Sequence, residues 1–186
     1  VLEALDKIAD LPLDMVAPGH GPVLRKEIDK YIDLYRQWSQ PPTAGDSDRP
    51  KIVLAYISIY GFTKMLADTL AEGVSTIGDF DIQTFSLVED KLEDDELLDR
   101  IAVAIADADG LLLGSNTVNG DALPQVWKLL GRLSPITHGD KVAMAFGAYG
   151  WSGEAVPSIE NRLRALRMKV LPGYRVNFKP SERNLE

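Results

Sequence analysis

Two hydrophobic rhythms alternate through residues 51–178. Short unbroken apolar runs predict strands buried on both faces, and apolar positions recurring every three or four residues predict helices between them. The first run is Ile52-Val53-Leu54-Ala55-Tyr56-Ile57, and a helical pattern through Met65, Leu66, Thr69, Leu70 and Val74 follows it. Residues 80–87 read as a second strand, more alternating and so nearer a sheet edge. A helix is predicted over about 94–108, with Leu97, Leu98, Ile101, Ile105 and Ala108 inside, after an acidic start at 89–96. Leu111-Leu112-Leu113-Gly114 is a third buried strand, and a helix spans about 123–133. A fourth strand at 141–146 precedes a helix over about 154–168. The fifth strand lies within 169–178 and is bulged or split by Pro172-Gly173. Ser181 then reads as the N-cap of a fifth helix. This alternation predicts an α/β fold, a doubly wound parallel five-stranded sheet, for which the common order 2-1-3-4-5 is the natural expectation.

The chain before residue 51 has a different texture. Residues 1–10 read as an amphipathic helix with Leu2, Leu5, Ile8 and Ala9 on one face, ended by Pro12. A short strand is expected over 13–17. Ala17-Pro18-Gly19-His20-Gly21-Pro22 is a rigid turn whose glycines let the backbone place one imidazole tightly. A helix over about 25–38 presents Ile28, Tyr31, Ile32, Tyr35 and Trp38. Residues 40–50, with Pro41, Pro42, Gly45 and Pro50, form a linker. The predicted division is therefore 1–39, a linker at 40–50, and 51–186. Val1 already stands in a helical pattern and the chain stops at a helix start, so a fragment of a longer protein is expected.

Composition narrows the classes. The 186 residues are 45% hydrophobic, enough for one good core and an appendage. A formal net charge of -8 argues against nucleic acid or an anionic membrane as partner. The chain has no cysteine, which removes thiolate metal ligands and catalytic thiols. No apolar run approaches the roughly 20 residues that span a bilayer.

Candidate chemistry gathers where strands end. In an open α/β sheet of this order the ligand crevice lies beyond the carboxyl ends of strands one and three. Three loops converge there. Ser58-Ile59-Tyr60-Gly61-Phe62-Thr63 joins a strand to a helix, the geometry that offers backbone N–H groups to a phosphate. It holds no cation of its own, and Lys64 is expected to point outward, so neutral donors would hold the phosphate. Ser115-Asn116-Thr117-Val118-Asn119-Gly120 is rich in hydrogen-bonding groups. Ala148-Tyr149-Gly150-Trp151-Ser152-Gly153 alternates glycine with aromatics, suited to a flat ring. A phosphate site beside a planar-ring site fits flavin mononucleotide (FMN). No G-x-x-x-x-G-K-[ST] or G-x-G-x-x-G occurs, which sets aside the common nucleotide loops.

The first loop, of the form [ST]-x-[ST/Y]-G-x-T, resembles the phosphate loop of flavodoxins, with Tyr60 and Phe62 as departures. The stretch Ala145-Phe146-Gly147-Ala148-Tyr149-Gly150-Trp151-Ser152-Gly153-Glu154-Ala155 resembles the corresponding loop of flavodiiron proteins (A-type flavoproteins). So does Gly114-Ser115-Asn116-Thr117 with Leu123-Pro124, although Asn116 stands where that family usually has proline. The Pro-Gly-His-Gly-Pro turn is similar to the end of that family's metallo-β-lactamase-like domain, where the matching histidine, here His20, is a diiron ligand. Arg36-Gln37-Trp38-Ser39 and the tyrosine-glycine of the first loop lean toward the group found in oxygenic phototrophs.

The resemblance implies a flavodoxin-like fold, a remnant of the diiron domain over 1–39, and FMN as cofactor of the longer part. It implies a parent oxidoreductase that reduces O2 to water, or NO to N2O. Electrons would come from an NAD(P)H-linked reductase, rubredoxin or ferredoxin type of donor, within a head-to-tail homo- or hetero-dimer. The compartment implied is the cytoplasm, or the chloroplast stroma in a eukaryotic phototroph. With two histidines the chain cannot assemble the diiron centre itself. His138, in a turn before strand four, is expected at the surface. The rival reading is a flavodoxin-like assembly module that has lost its flavin or binds it weakly. A receiver domain is disfavoured because Ser58 and Ser115 stand where acidic residues would be needed. A flavodoxin-like quinone reductase is disfavoured by the Pro-Gly-His-Gly-Pro segment.

Overall fold

A computed structural model describes residues 1–40, 49–87 and 95–181. The chain divides into two compact units, Val1–Asp46 and Ser47–Glu186. In the first, α1 (Leu2–Ile8) and α2 (Ile28–Trp38) are tied by Arg36 Nη1 donating to Asp6 Oδ1 at 2.7 Å. The expected strand over 13–17 is reduced to one antiparallel bridge, Val16 to Leu24. Pro12, Pro18 and Pro22 around it have no N–H to donate, so the ladder cannot extend. The second helix begins three residues later than expected, because Glu27 takes a left-handed conformation at its N-cap. Tyr35 and Trp38 meet edge to face with centroids 6.0 Å apart.

The second unit is the α/β body. Its elements are β1 (Lys51–Tyr56), α3 (Phe62–Ile77), β2 (Asp81–Ser86), α4 (Asp95–Asp107) and β3 (Gly110–Gly114). There follow β4 (Thr117–Val118), β5 (Asp121–Ala122), α5 (Pro124–Arg132) and β6 (Val142–Tyr149). The last are α6 (Ala155–Ala165), β7 (Lys169–Val170) and β8 (Tyr174–Asn177). The main sheet runs β2-β1-β3-β6-β7, with β8 also on β6, and every pair in it is parallel. That is the expected 2-1-3-4-5 order, with the fifth strand split at Pro172-Gly173. β7 pairs with the first half of β6 and β8 with its second half.

Strand alternation divides the core between two faces. Val53, Ala55, Ile57, Leu111, Leu113, Ala143 and Ala145 pack on one face beneath α4, α5 and α6. Leu54, Tyr56, Phe146, Ala148 and Val176 pack on the other against Leu66 and Ala67 of α3. Each large side chain so buried contributes roughly 1.5–3 kcal/mol. On the α3 face an apolar groove of about 380 Å³ runs past Ile52, Leu70, Val74, Leu112 and Met144.

Three details differ from the sequence expectation. β6 continues through Gly147, Ala148 and Tyr149, expected as loop, because β8 supplies a partner for them. The second ligand loop contains the β4–β5 hairpin, turned by Asn119 (φ +51°) and Gly120 (φ +77°), the Asn-Gly turn that suits twisted strands. His138 is not a surface residue. It is buried, accepts the Ser134 N–H at Nδ1 (3.0 Å) and donates from Nε2 to the Ala102 carbonyl of α4 (3.1 Å). Its turn folds back onto α4, a long-range contact that local sequence does not encode. The expected acidic helix start up to residue 94, most of the linker and the helix start after Ser181 lie outside the described residues.

Candidate functional site

A cavity of about 500 Å³ opens beyond the carboxyl ends of β1, β3 and β6. This lies within the ~300–1,000 Å³ typical of small-molecule sites. The first loop contributes Tyr60 and Phe62, and the second contributes Asn116, Thr117, Val118, Asn119 and Gly120. The third contributes Ala148, Tyr149, Gly150, Trp151 and Ser152. Trp151 and Tyr60 stand on the rim, 93% and 75% exposed.

Ser58, Ile59, Gly61, Thr63, Ser115 and Gly153 are not among the residues that line this cavity but adjoin those that do. Their placement shows how the cavity is held. The Ser58 hydroxyl accepts the Lys64 N–H at 3.1 Å and so caps α3. Thr63 is fully buried, and its hydroxyl oxygen accepts the Ala148 N–H at 3.3 Å, joining α3 to β6. The Ser115 hydroxyl donates to Asn116 O at 2.8 Å and accepts the Leu123 N–H at 3.1 Å. Thr117 Oγ1 accepts the Ala155 N–H at 3.3 Å at the start of α6. These hydroxyls, expected as ligand donors, thus accept internal N–H groups and brace the loops.

Asn116 does most of the joining. Its Oδ1 accepts the Ile59 N–H at 2.9 Å, and its Nδ2 points to Ala148 O at 3.5 Å. One buried amide therefore spans all three loops. Close backbone approach completes the frame. A methyl at Gly147 would overlap the Ser115 carbonyl oxygen. Gly153 (φ +74°) lies under the Tyr149 ring, where a methyl would sit 2.9 Å from Cδ1.

Open donors remain at the first loop. Gly61 adopts φ +79° as N-cap of α3. Among the described residues no acceptor meets the N–H groups of Tyr60, Gly61 and Phe62. They stand at a helix N-terminus, where the aligned peptide dipoles favour an anion.

Two lining residues escaped the sequence reading. Glu154 stands in the sequence as a helix start and within the third-loop stretch, with no site role assigned to it. Its carboxyl is held below the usual carboxylate range, first by the Ser152 hydroxyl, then by its own N–H, with a smaller contribution from Arg175. Its Oε2 is enclosed without a hydrogen-bond partner. Phe178 was read as the end of a strand, and no local signal marks it out. His20 is exposed in its turn, and among the described residues no group of three or more His, Cys, Asp or Glu could hold a metal.

Comparison with known proteins agrees with this architecture. The flavodoxin family profile matches residues 54–186. The chain is 38% identical to the type A flavoprotein fprA of Rhodobacter capsulatus over 188 residues, covering all of this chain and 42% of that protein. It is 32% identical to a nitric oxide reductase of Moorella thermoacetica, again over all of this chain and 44% of that protein. Among solved structures, a metal-soaked Flv1 flavodiiron core from Synechocystis superposes with a TM-score of 0.62 at 28% identity. That match covers 99% of this chain and 43% of the other. The chain therefore spans less than half the length of these relatives.

Proposed function

Because the chain belongs to the flavodoxin family through residues 54–186, we propose that its second unit binds FMN and serves as the electron-transfer domain of a flavodiiron oxidoreductase. The observation that carries this reading is the single cavity onto which all three strand-end loops open, with unmatched N–H groups at one side and aromatic residues at its rim. Phosphate is a fitting ligand for the Tyr60, Gly61 and Phe62 N–H groups. A flat ring fits among Tyr149, Gly150 and Trp151. When bound, FMN supplies one- and two-electron chemistry. The protein's part is to hold its phosphate with neutral donors, shield one side of its ring, and leave the rim open to a redox partner.

The reading for the whole protein is reduction of O2 or NO at two irons, fed by a reductase, rubredoxin or ferredoxin type of donor. His20 would be one iron ligand among many supplied elsewhere. Among the described residues no group of three or more His, Cys, Asp or Glu makes that centre.

The test is an FMN titration of the chain, followed by flavin fluorescence and the visible spectrum. Saturable binding with Kd of about 1 µM or tighter is expected. Gly61→Ala, which forces a Cβ into the left-handed region at the loop, should weaken it by about tenfold. A folded sample that takes up no FMN would overturn the reading.

A further inference from the structure

Phe178 combines two unfavourable features at the mouth of the cavity. Its φ of +57° is an uncommon conformation for a bulky side chain. Its ring is 58% exposed, so it gains little from burial. Glycine or asparagine would take this backbone with less strain, and a polar side chain would suit the exposure better. The surroundings nevertheless hold it in place. Its N–H donates to Tyr149 O at 2.7 Å, and Pro180, two residues on, is buried. The ring stands over the backbone of Gly150, where a methyl would lie 3.5 Å from Phe178 Cε1. Among the described residues it pairs with no other aromatic ring. The Tyr149 ring, by contrast, is already laid against Gly153. Strain kept at a ligand cavity is evidence of a role there.

We infer that Phe178 is a positioning residue for the flavin, its ring forming a wall of the cavity against which the isoalloxazine is laid, and that the left-handed turn exists to aim it. This rests on the FMN reading above. It differs from that reading in assigning the ring contact to the turn after β8 (Tyr174–Asn177), a segment that local sequence does not connect with the ligand.

The experiment measures FMN and riboflavin affinity by fluorescence quenching, and apo-protein Tm, for the full chain and for Phe178→Gly, Phe178→Leu and Phe178→Tyr. Riboflavin lacks the phosphate, so a ring contact weakens both ligands alike. Phe178→Gly should leave Tm unchanged or raise it, while weakening FMN and riboflavin by the same factor, roughly 3–10-fold. Phe178→Leu, apolar but not flat, should fall between. Phe178→Tyr should stay within about twofold of the parent. Should Phe178→Gly fail to fold, the Leu and Tyr variants carry the same contrast. Affinities unchanged in the Gly and Leu variants would overturn the assignment while leaving FMN binding intact. So would a loss confined to FMN, which would place the effect at the phosphate. Failure of the folded parent chain to bind either ligand would instead overturn the FMN reading, and this assignment with it.

Discussion

The two ends of the same sheet are treated in opposite ways. At the amino ends of the strands Lys51 and Lys141 both have partners within the fold. Lys51 Nζ meets Asp107 Oδ2 at 2.5 Å, and the Lys51 N–H donates to Asp109 Oδ2 at 2.8 Å. Lys141 Nζ reaches back to the Ala106 and Ala108 carbonyls at 2.9 and 2.5 Å, closing the carboxyl end of α4. Burial pushes the Lys141 ammonium below its ordinary value, opposed only in part by Asp109 and Asp107. At the carboxyl ends the polar side chains brace the loop backbone, but among the described residues the N–H groups of Tyr60, Gly61 and Phe62 stay unmatched and aromatic rings stand in solvent. An architecture able to satisfy its groups at one end leaves them open at the other. Unsatisfied groups concentrated in one place are the mark of a ligand site rather than of poor packing.

Variants at each end can break or sharpen this contrast. The largest effect is expected from Gly147→Ala, whose methyl would collide with the Ser115 carbonyl between two central strands. Backbone cannot yield there as a flexible side chain would, so a loss of about 3 kcal/mol or more is expected in urea unfolding, with FMN binding lost too. Asn116→Ala comes next. It strands the half-buried Ile59 N–H and unties three loops, so about 2 kcal/mol of stability and about tenfold in FMN affinity should go together. Lys141→Met should cost about 1 kcal/mol, since two carbonyls lose their donor while a desolvated ammonium is removed. Its FMN affinity should stay within about twofold, because its end of the sheet faces no ligand. If Lys141→Met weakened FMN as much as Asn116→Ala, the division between the ends would fail.

The smallest effect concerns acid. The Glu154 carboxyl titrates below its ordinary value in the folded protein. Its contribution to stability is therefore complete above the unfolded value of about 4.3 and is lost as pH falls through the lower folded value. Comparing urea unfolding of the parent and Glu154→Gln between about pH 6 and about pH 3 should show their difference shrinking toward acid. A difference that stays constant would mean that the Ser152 contact does not hold in solution.

Much of this was legible along the chain. The runs from Ile52 and Leu111 mark central strands because burial on both faces demands unbroken apolar sequence. The strand ends then locate the three loops, since connectivity alone puts them at one edge of the sheet. Their aromatics, glycines and hydroxyls were visible as types. Their internal roles were less so: beside the donor role read for Ser58, Thr63 and Ser115, the fold uses their oxygens to hold the loops together.

Local pattern by itself thus determined the alternation of strands and helices and the region of the site. Those depend on side-chain periodicity and short connections, which are properties of neighbouring residues. Only the tertiary structure decided that β6 runs on through Tyr149, that His138 is buried against α4, that Asn116 ties three loops, and that Glu154 and Phe178 border the cavity. Each depends on a partner tens of residues away or across the sheet, and no spacing within a single element encodes it.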